Sequence, residues 1–281
     1  MPIYEQTYRR WQARGGLRAV RFWPITREAL SLVLAKRAFI GLLVLVWIPF
    51  VVRVLQVYIV TRFPEAGRVL PVDGRLFGDF LNQQTGLTLL LSIFGGAGLI
   101  ANDLRTGAIL VYLSRPLTRR DYVLGKLAVL MALNYSATLV PGLLLYVVSV
   151  GLAPELFLKW SLAWIAPMVV LHATVLSLIV SLVALAISAL SRSARVAGLA
   201  FAGLIVGLEI VRGILVGILD RPEAHVLSLW NDLRVLGNLL FGVEDRGASL
   251  PAIYPIVALA LAVAVCLSVL RARVRAVEIV G

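Results

Sequence analysis

The sequence predicts an all-α polytopic membrane protein with six transmembrane helices. First, 60% of its 281 residues are hydrophobic and only 15% are charged, whereas about 25% of the residues in a soluble domain are charged. Second, the apolar residues form six runs, each long enough for the roughly 20 residues that a helix needs to cross a bilayer. Third, basic residues gather in every second connection between these runs. The bilayer is therefore the expected solvent.

The six runs occupy almost the whole chain and leave no room for a large soluble domain. Because backbone polar groups in lipid must be satisfied within the segment, every run is expected to be helical. We expect a single transmembrane domain over residues 1–281, with a tail and amphipathic helix in 1–37, the membrane core in 38–270 and a second tail in 271–281. The predicted spans are 38–60, 79–101, 122–149, 162–190, 197–219 and 252–270.

The distribution of positive charge predicts the orientation. The net charge is +12, and eight of the 27 Lys and Arg residues precede the first run. Further basic residues follow the second, fourth and sixth runs, and an excess of Lys and Arg marks cytoplasmic loops. Both termini are therefore expected in the cytoplasm. Since topology accounts for these charges, membrane lipid is an expected partner and nucleic acid is not.

Two segments have the pattern of surface helices. In residues 24–37, Leu30, Val33 and Leu34 form an apolar stripe beside basic residues, and Thr26 is a candidate N-cap. We expect an amphipathic helix on the cytoplasmic face; the alternative is an extension of the first span. Residues 220–251 also have an amphipathic helical pattern, and the sequence does not decide whether they cap the outer mouth or rest on the membrane.

The connection between the second and third runs carries more local structure than topology requires. Gly95, Gly96 and Gly98 permit close helix approach at the end of the second span. A short amphipathic piece follows and is broken at Pro116. Thr118 with Asp121 three residues later resembles a capping box for the next helix. We interpret this as a helix–turn–helix that docks a cytoplasmic partner, the alternative being an ordinary basic loop.

The same segment resembles the first cytoplasmic loop of type-2 ABC exporter permeases. Such permeases show a Gly-rich span end, an acidic residue, a short helix, a Pro-led turn and a span that opens near Gly-Lys. The corresponding stretches here are 98–103, 112–119 and 122–126. The subgroup of closest resemblance contains bacterial permeases of copper-enzyme maturation and gliding-motility systems. The resemblance extends to the six-span layout, the surface helix and the long last outer loop.

The resemblance implies a permease in the bacterial inner membrane that pairs with a second permease subunit, either another copy or a paralogue. A separate cytoplasmic ATPase would bind ATP and Mg and dock on the loop near 103–120, which would act as a coupling helix. No G-x-x-x-x-G-K-[ST] motif occurs, so we expect neither enzyme activity nor a cofactor in this chain. The implied coupling residues are Asp103, Arg105, Thr106, Tyr112, Arg115, Pro116, Thr118, Arg119 and Arg120.

Polar residues inside the runs are further candidates. Ser177 and Ser181 belong to a stripe of small residues in the fourth run, which either packs within the subunit or lines a cavity. Glu209 and Arg212, three residues apart, can pair on one helix face, with a functional or a structural role. His172 has no ligand-spaced partner, so we expect a packed or hydrogen-bonded histidine and no metal site.

Other classes of membrane protein find less support. Neither G-x-S-x-G nor H-E-x-x-H occurs, which argues against an intramembrane serine protease and a metalloprotease. A secondary transporter without an ATPase stays as the alternative, because Pro49, Pro141 and Pro167 can kink spans, although no internal repeat is evident.

Overall fold

The computed structural model describes residues 22–68, 72–109, 118–152, 162–219, 221–243, 251 and 253–274. Within these ranges the chain is helical and has no strand. Two short 3-10 helices, Pro64–Arg68 and Pro222–Leu227, accompany the α-helices. The α-helices are α1 Trp23–Leu34, α2 Arg37–Arg62, α3 Gly74–Gly96, α4 Gly98–Thr106, α5 Arg119–Ala137, α6 Leu139–Leu152, α7 Ile165–Leu190, α8 Ala194–Gly217, α9 Leu229–Leu240 and α10 Ile253–Arg273.

Six helical stretches in the described ranges are long and apolar enough to cross a membrane, as predicted. The second joins α3 to α4 and covers Gly74–Thr106, and the third joins α5 to α6 and covers Arg119–Leu152. Both are longer than the predicted 79–101 and 122–149. The extra turns begin at Asp73 and Thr118, whose side chains accept backbone N–H bonds at the helix starts. The predicted capping box of Thr118 and Asp121 is confirmed.

Helix α7 is the centre of the bundle. In an apolar stretch of 18 residues within α7, 67% of the residues are buried, against 6% in the corresponding stretch of α8. Helices α3, α4, α5, α6 and α10 all pack around α7, because its small residues allow neighbouring backbones to come close. Helix α8 buries only Ala197, Gly198 and Phe201. The core therefore lies around α7, and α8 stands at the periphery.

Helix α1 is an amphipathic helix that lies against the start of α5. It buries Ile25, Ala29 and Val33 and exposes Trp23 and Leu32. The prediction of Thr26 as its N-cap is wrong. The helix already begins at Trp23, with Pro in its first turn, where the missing N–H costs nothing.

The glycines at the end of α3 permit the close approach that the sequence predicts. A Cβ on Gly95 would lie 3.0 Å from Leu133, and one on Gly96 would lie 3.1 Å from Leu130. Basic residues of several helices meet at this end of the bundle, as Lys36, Lys126 and Arg195 line one cavity and Arg119, Arg120 and Arg271 another. We call it the basic end.

At the opposite end, α9 is seated on the bundle through two glycine contacts. A Cβ on Gly86 of α3 would lie 2.6 Å from the Trp230 ring, and one on Gly237 of α9 would lie 2.9 Å from the His172 ring of α7. Helix α9 also packs against α10. The segment after α8 therefore includes a helix that covers this end of the bundle.

Candidate functional sites

A buried ion pair fixes the end of α4 to the start of α5 at the basic end. Lys126 Nζ lies 2.7 Å from Asp103 Oδ2, with side-chain exposures of 5% and 16%. Tyr122 Oη donates a hydrogen bond of 2.8 Å to the same carboxylate oxygen, and the Tyr122 ring lies under the Lys126 ammonium. The carboxylate is thus both neutralised and hydrogen-bonded, as a buried charge requires.

The surface helix α1 is attached to the same cluster. Thr26 Oγ1 donates a hydrogen bond of 3.0 Å to the carbonyl of Gly125, next to Lys126. A Cβ on Gly125 would lie 3.1 Å from the Ile25 side chain and 3.2 Å from the Phe22 carbonyl. Glycine at 125 therefore allows α1 to lie directly on the backbone of α5. The sequence motif Gly125-Lys126 serves both contacts.

Several of the predicted coupling residues lie at the ends of α4 and α5, beside this cluster. Helix α4 ends at Thr106, where Gly107 adopts a left-handed φ of 71°. Thr106 Oγ1 donates to the Asn102 carbonyl at 2.9 Å. On the return side, Thr118 caps α5. Tyr112, Arg115 and Pro116 lie outside the described residues.

The basic residues that flank this segment are available to a partner. Arg105, Arg119 and Arg120 are exposed, and no ion pair is seen for them within the described parts of the chain. The segment therefore begins and ends on fixed helix ends and presents positive charge beside them. A topological loop does not require such fixed ends.

The discontinuity between α3 and α4 is bridged by Ser188 of α7. Ser188 Oγ accepts the backbone N–H groups of Ile100 and Ala101 at 3.1 and 3.0 Å and donates to the Ala97 carbonyl at 2.7 Å. Within a regular helix these amides would bond to the carbonyls four residues earlier. The hydroxyl thus takes the place of the helical hydrogen bonds that are interrupted at this point. Inside an apolar core, backbone groups without hydrogen bonds are costly.

A fully buried polar cluster joins three spans. Asn134 of α5 accepts a hydrogen bond of 3.1 Å from Ser92 of α3 and donates one of 3.0 Å to Ser181 of α7. Ser177 lies 3.4 Å from the Thr138 hydroxyl. The two candidate serines therefore contact helices of the same chain, as in the packing interpretation. Asn134 is not among the residues predicted from the sequence, although an amide in the middle of an apolar run is the signal that could have identified it.

Glu209 and Arg212 of α8 form the predicted pair and extend it. Arg212 Nε donates to Glu209 Oε1 at 3.0 Å, and Arg212 Nη1 lies 3.3 Å from His225 Nδ1. Ser228 Oγ donates a hydrogen bond to Glu209. As the N-cap of α9, it also accepts a hydrogen bond of 3.0 Å from the backbone N–H of Asn231. The pair therefore links α8 to the connection that leads to α9.

The remaining candidate is a histidine that packs in the interior of the bundle. His172 is fully buried against the edge of Phe241, and neither ring nitrogen has a hydrogen-bond partner. It is thus packed rather than hydrogen-bonded. No group of three or more potential metal ligands occurs among the described residues.

Among the described residues, six apolar helices packed around a core with buried hydrogen bonds define a multi-pass membrane protein. Residues 23–236 match the family model described as ABC-2 family transporter protein. The chain therefore belongs to this family and is an ABC transporter permease. A comparison with curated proteins gives no match.

The family assignment limits what the chain does by itself. ABC-2 permeases are membrane components and are not themselves catalytic, and the family in general implies an ABC ATPase partner. This assignment favours the permease interpretation over a secondary transporter without an ATPase.

Proposed function

We propose that this chain is the permease subunit of a bacterial exporter of the type found in copper-enzyme maturation and gliding-motility systems. It lies in the inner membrane with both termini in the cytoplasm, so the basic end faces the cytoplasm. It pairs with a second permease, either another copy or a paralogue. A separate ATPase binds ATP and Mg and docks on the segment near 103–120. This chain then has no cofactor of its own.

The observation that carries the proposal is the anchoring of that segment. Its first helix end is held by the Asp103–Lys126 ion pair, and its return is held by the capping box at Thr118. A force applied to the segment by a docked ATPase would therefore reach α4 and α5 directly. Through Ser188 it would also reach α7 at the centre of the bundle.

Charge reversal at Arg115, Arg119 and Arg120 tests the docking. The permease is co-expressed with its ATPase and purified in detergent, and ATPase co-purification and stimulated ATP hydrolysis are measured. We expect both to be lost in the triple variant with Glu at these positions, because like charges across an interface cost several kcal/mol. Membrane insertion is expected to be unchanged, since the exposed side chains at 119 and 120 are not part of the core.

The matched control reverses three exposed arginines at the same end, Arg37, Arg192 and Arg273. This variant has the same charge change and is expected to retain the ATPase. Wild-type stimulation in the Arg115, Arg119 and Arg120 variant would reject the docking assignment. Equal loss in both variants would show that net charge, rather than this segment, recruits the ATPase.

A further inference from the structure

An open cavity of about 670 Å³ lies at the basic end, between α1, α4 and α8. Its polar lining consists of Lys36, Arg195, Lys126, Asp103 and Asn102, and the rest of its wall is apolar. The predicted docking segment uses none of Lys36, Arg195 and Asn102. The cavity is thus separate from the exposed arginines at 105, 119 and 120.

Two of the three cations that line this cavity have no acidic partner among the described residues. Lys126 is neutralised by Asp103 at 2.7 Å. Lys36 and Arg195 are exposed, and among the described residues neither forms an ion pair or a side-chain hydrogen bond. They approach from different elements, Lys36 from the α1–α2 junction and Arg195 from the first turn of α8. Within the described part of the chain, the mouth of the cavity therefore has two unpaired positive charges beside a neutral pair.

The apolar wall of the cavity continues along the membrane-spanning helices. Phe94 is 61% exposed and Leu199 75% exposed, on α3 and α8 respectively, and Leu32 of α1 is 61% exposed. A soluble anion would satisfy the two cations and leave this wall uncovered. An amphiphile with an anionic head and an acyl chain would cover both.

We propose that this cavity binds an anionic phospholipid. Its headgroup phosphate lies between Lys36 and Arg195, and an acyl chain follows Phe94 and Leu199. Basic pockets between transmembrane helices at the cytoplasmic side are suited to anionic headgroups. The lipid would link α8, which buries only three residues, to α1 and α3. It would therefore stabilise the position of α8 in the subunit.

The test uses the full-length permease, delipidated in a neutral detergent. Thermal unfolding is followed while phosphatidylglycerol, phosphatidylcholine or soluble glycerol phosphate is added, and bound lipid is counted by native mass spectrometry. We expect stabilisation and a retained lipid with phosphatidylglycerol only. Lys36→Gln with Arg195→Gln is expected to weaken the apparent phosphatidylglycerol affinity roughly fivefold for each cation removed, on the order of 25-fold together.

The matched control, Arg37→Gln with Arg192→Gln, removes two exposed charges from the same end outside the cavity and is expected to bind as the wild type does. The charge-conserving variant Lys36→Arg with Arg195→Lys is expected to retain the lipid. Should the neutralised double variant fail to fold, Arg195→Gln alone is scored by lipid retention. Equal binding by the cavity and control variants, or stabilisation by glycerol phosphate alone, would overturn the proposal.

Discussion

Asp103 and Lys126 depend on each other because both charges are largely removed from water. Their ion pair is supported by the Tyr122 hydroxyl, which donates to the same oxygen. Among the described residues, replacement of Lys126 by Met leaves the carboxylate with the Tyr122 hydrogen bond and no ion pair. A buried charge without its partner typically costs about 3 kcal/mol or more.

We therefore expect Lys126→Met to lower the stability by about 3 kcal/mol. The double variant Asp103→Asn with Lys126→Met is expected to recover much of this loss, since no uncompensated charge remains. Thermal unfolding in detergent measures both. A double variant as unstable as the sum of its single variants would show that the two side chains do not interact.

Asp232 gives the subunit a dependence on pH. The residue is 2% exposed, and Oδ1 has no hydrogen-bond partner among the described residues. Burial raises the pKa of this carboxyl from an ordinary value of 3.8 to about 8. Between these two values the unfolded chain releases the proton and the folded chain keeps it, so stability falls as the pH rises. Above about pH 8 both states are ionised, and the full loss is present.

We expect Asp232→Asn to remove this contribution. The difference in melting temperature between the variant and the wild type should grow in the variant's favour from pH 5 to pH 8 and level off above it. The measurement is a series of unfolding curves in buffers of equal ionic strength. A constant difference across this range would contradict the elevated pKa.

At the scale of elements, the join between α3 and α4 depends on α7. Ser188 makes three hydrogen bonds to the backbone of that join. Interhelical hydrogen bonds in membrane proteins contribute about 0.6 kcal/mol each on average. We expect Ser188→Ala to cost about 1–3 kcal/mol and to increase hydrogen exchange at Ile100 and Ala101.

Ser268→Ala is the control for this prediction. Its hydroxyl is exposed on α10 and bonds only to the Ala264 carbonyl of its own helix. It is expected to be near neutral. Equal effects of the two substitutions would show that the contacts of Ser188 with the join contribute nothing specific.

The packing of α9 against the bundle requires glycine at position 237. A methyl group there would meet the His172 ring at 2.9 Å and the Asn82 amide oxygen at 3.1 Å. Gly237→Ala is therefore expected to displace α9 and to destabilise the subunit by about 1–3 kcal/mol, as overpacking does. His172→Ala in the same chain should restore part of the loss, which a double-mutant cycle of thermal unfolding measures.

Gly213→Ala is the matched glycine control. A Cβ there has no atom within 4 Å, and the helical interior favours Ala over Gly by about 1 kcal/mol. We expect this variant to be neutral or slightly more stable. Destabilisation equal to that of Gly237→Ala would show that the contact with His172 is not the cause.

The sequence was sufficient for elements whose cause is local. Hydrophobic run length identified the six spans, and the Thr118–Asp121 spacing identified the capping box. Contacts between distant residues were not predictable in the same way. The pairing of Asp103 with Lys126 and the bridging of the α3–α4 join by Ser188 depend on the register of packed helices, which one sequence does not specify.

Some of the contacts that could not be predicted involve residues that stand out in the sequence. Asn134 and Lys126 are polar residues beside or within an apolar run, which marks a burial cost without naming the partner that offsets it. The start of α1 was misplaced because Thr26 is a good capping residue type. Its hydroxyl instead bonds to the Gly125 carbonyl, a contact 99 residues away in the chain.

At the scale of the whole molecule, the proposed orientation places Glu65 outside the cell and Arg192 inside. Both are exposed and lie at opposite ends of the bundle. In a Cys266→Ser background, Glu65→Cys is expected to react with a membrane-impermeant maleimide in intact cells, and Arg192→Cys only after the membrane is opened. The reverse pattern would place the termini outside.

The low burial of α8 has a consequence for how such permeases diversify. Its N-terminal end packs near α4, and its C-terminal half is held through Glu209, Ser228 and the following 3-10 helix. Most side chains between these two attachments are not fixed by the folded core. In the proposed assembly with a second permease, substitutions there would alter the surface that meets this subunit or lipid and would leave the fold intact. Duplicated copies can thus acquire different assembly preferences through one helix alone.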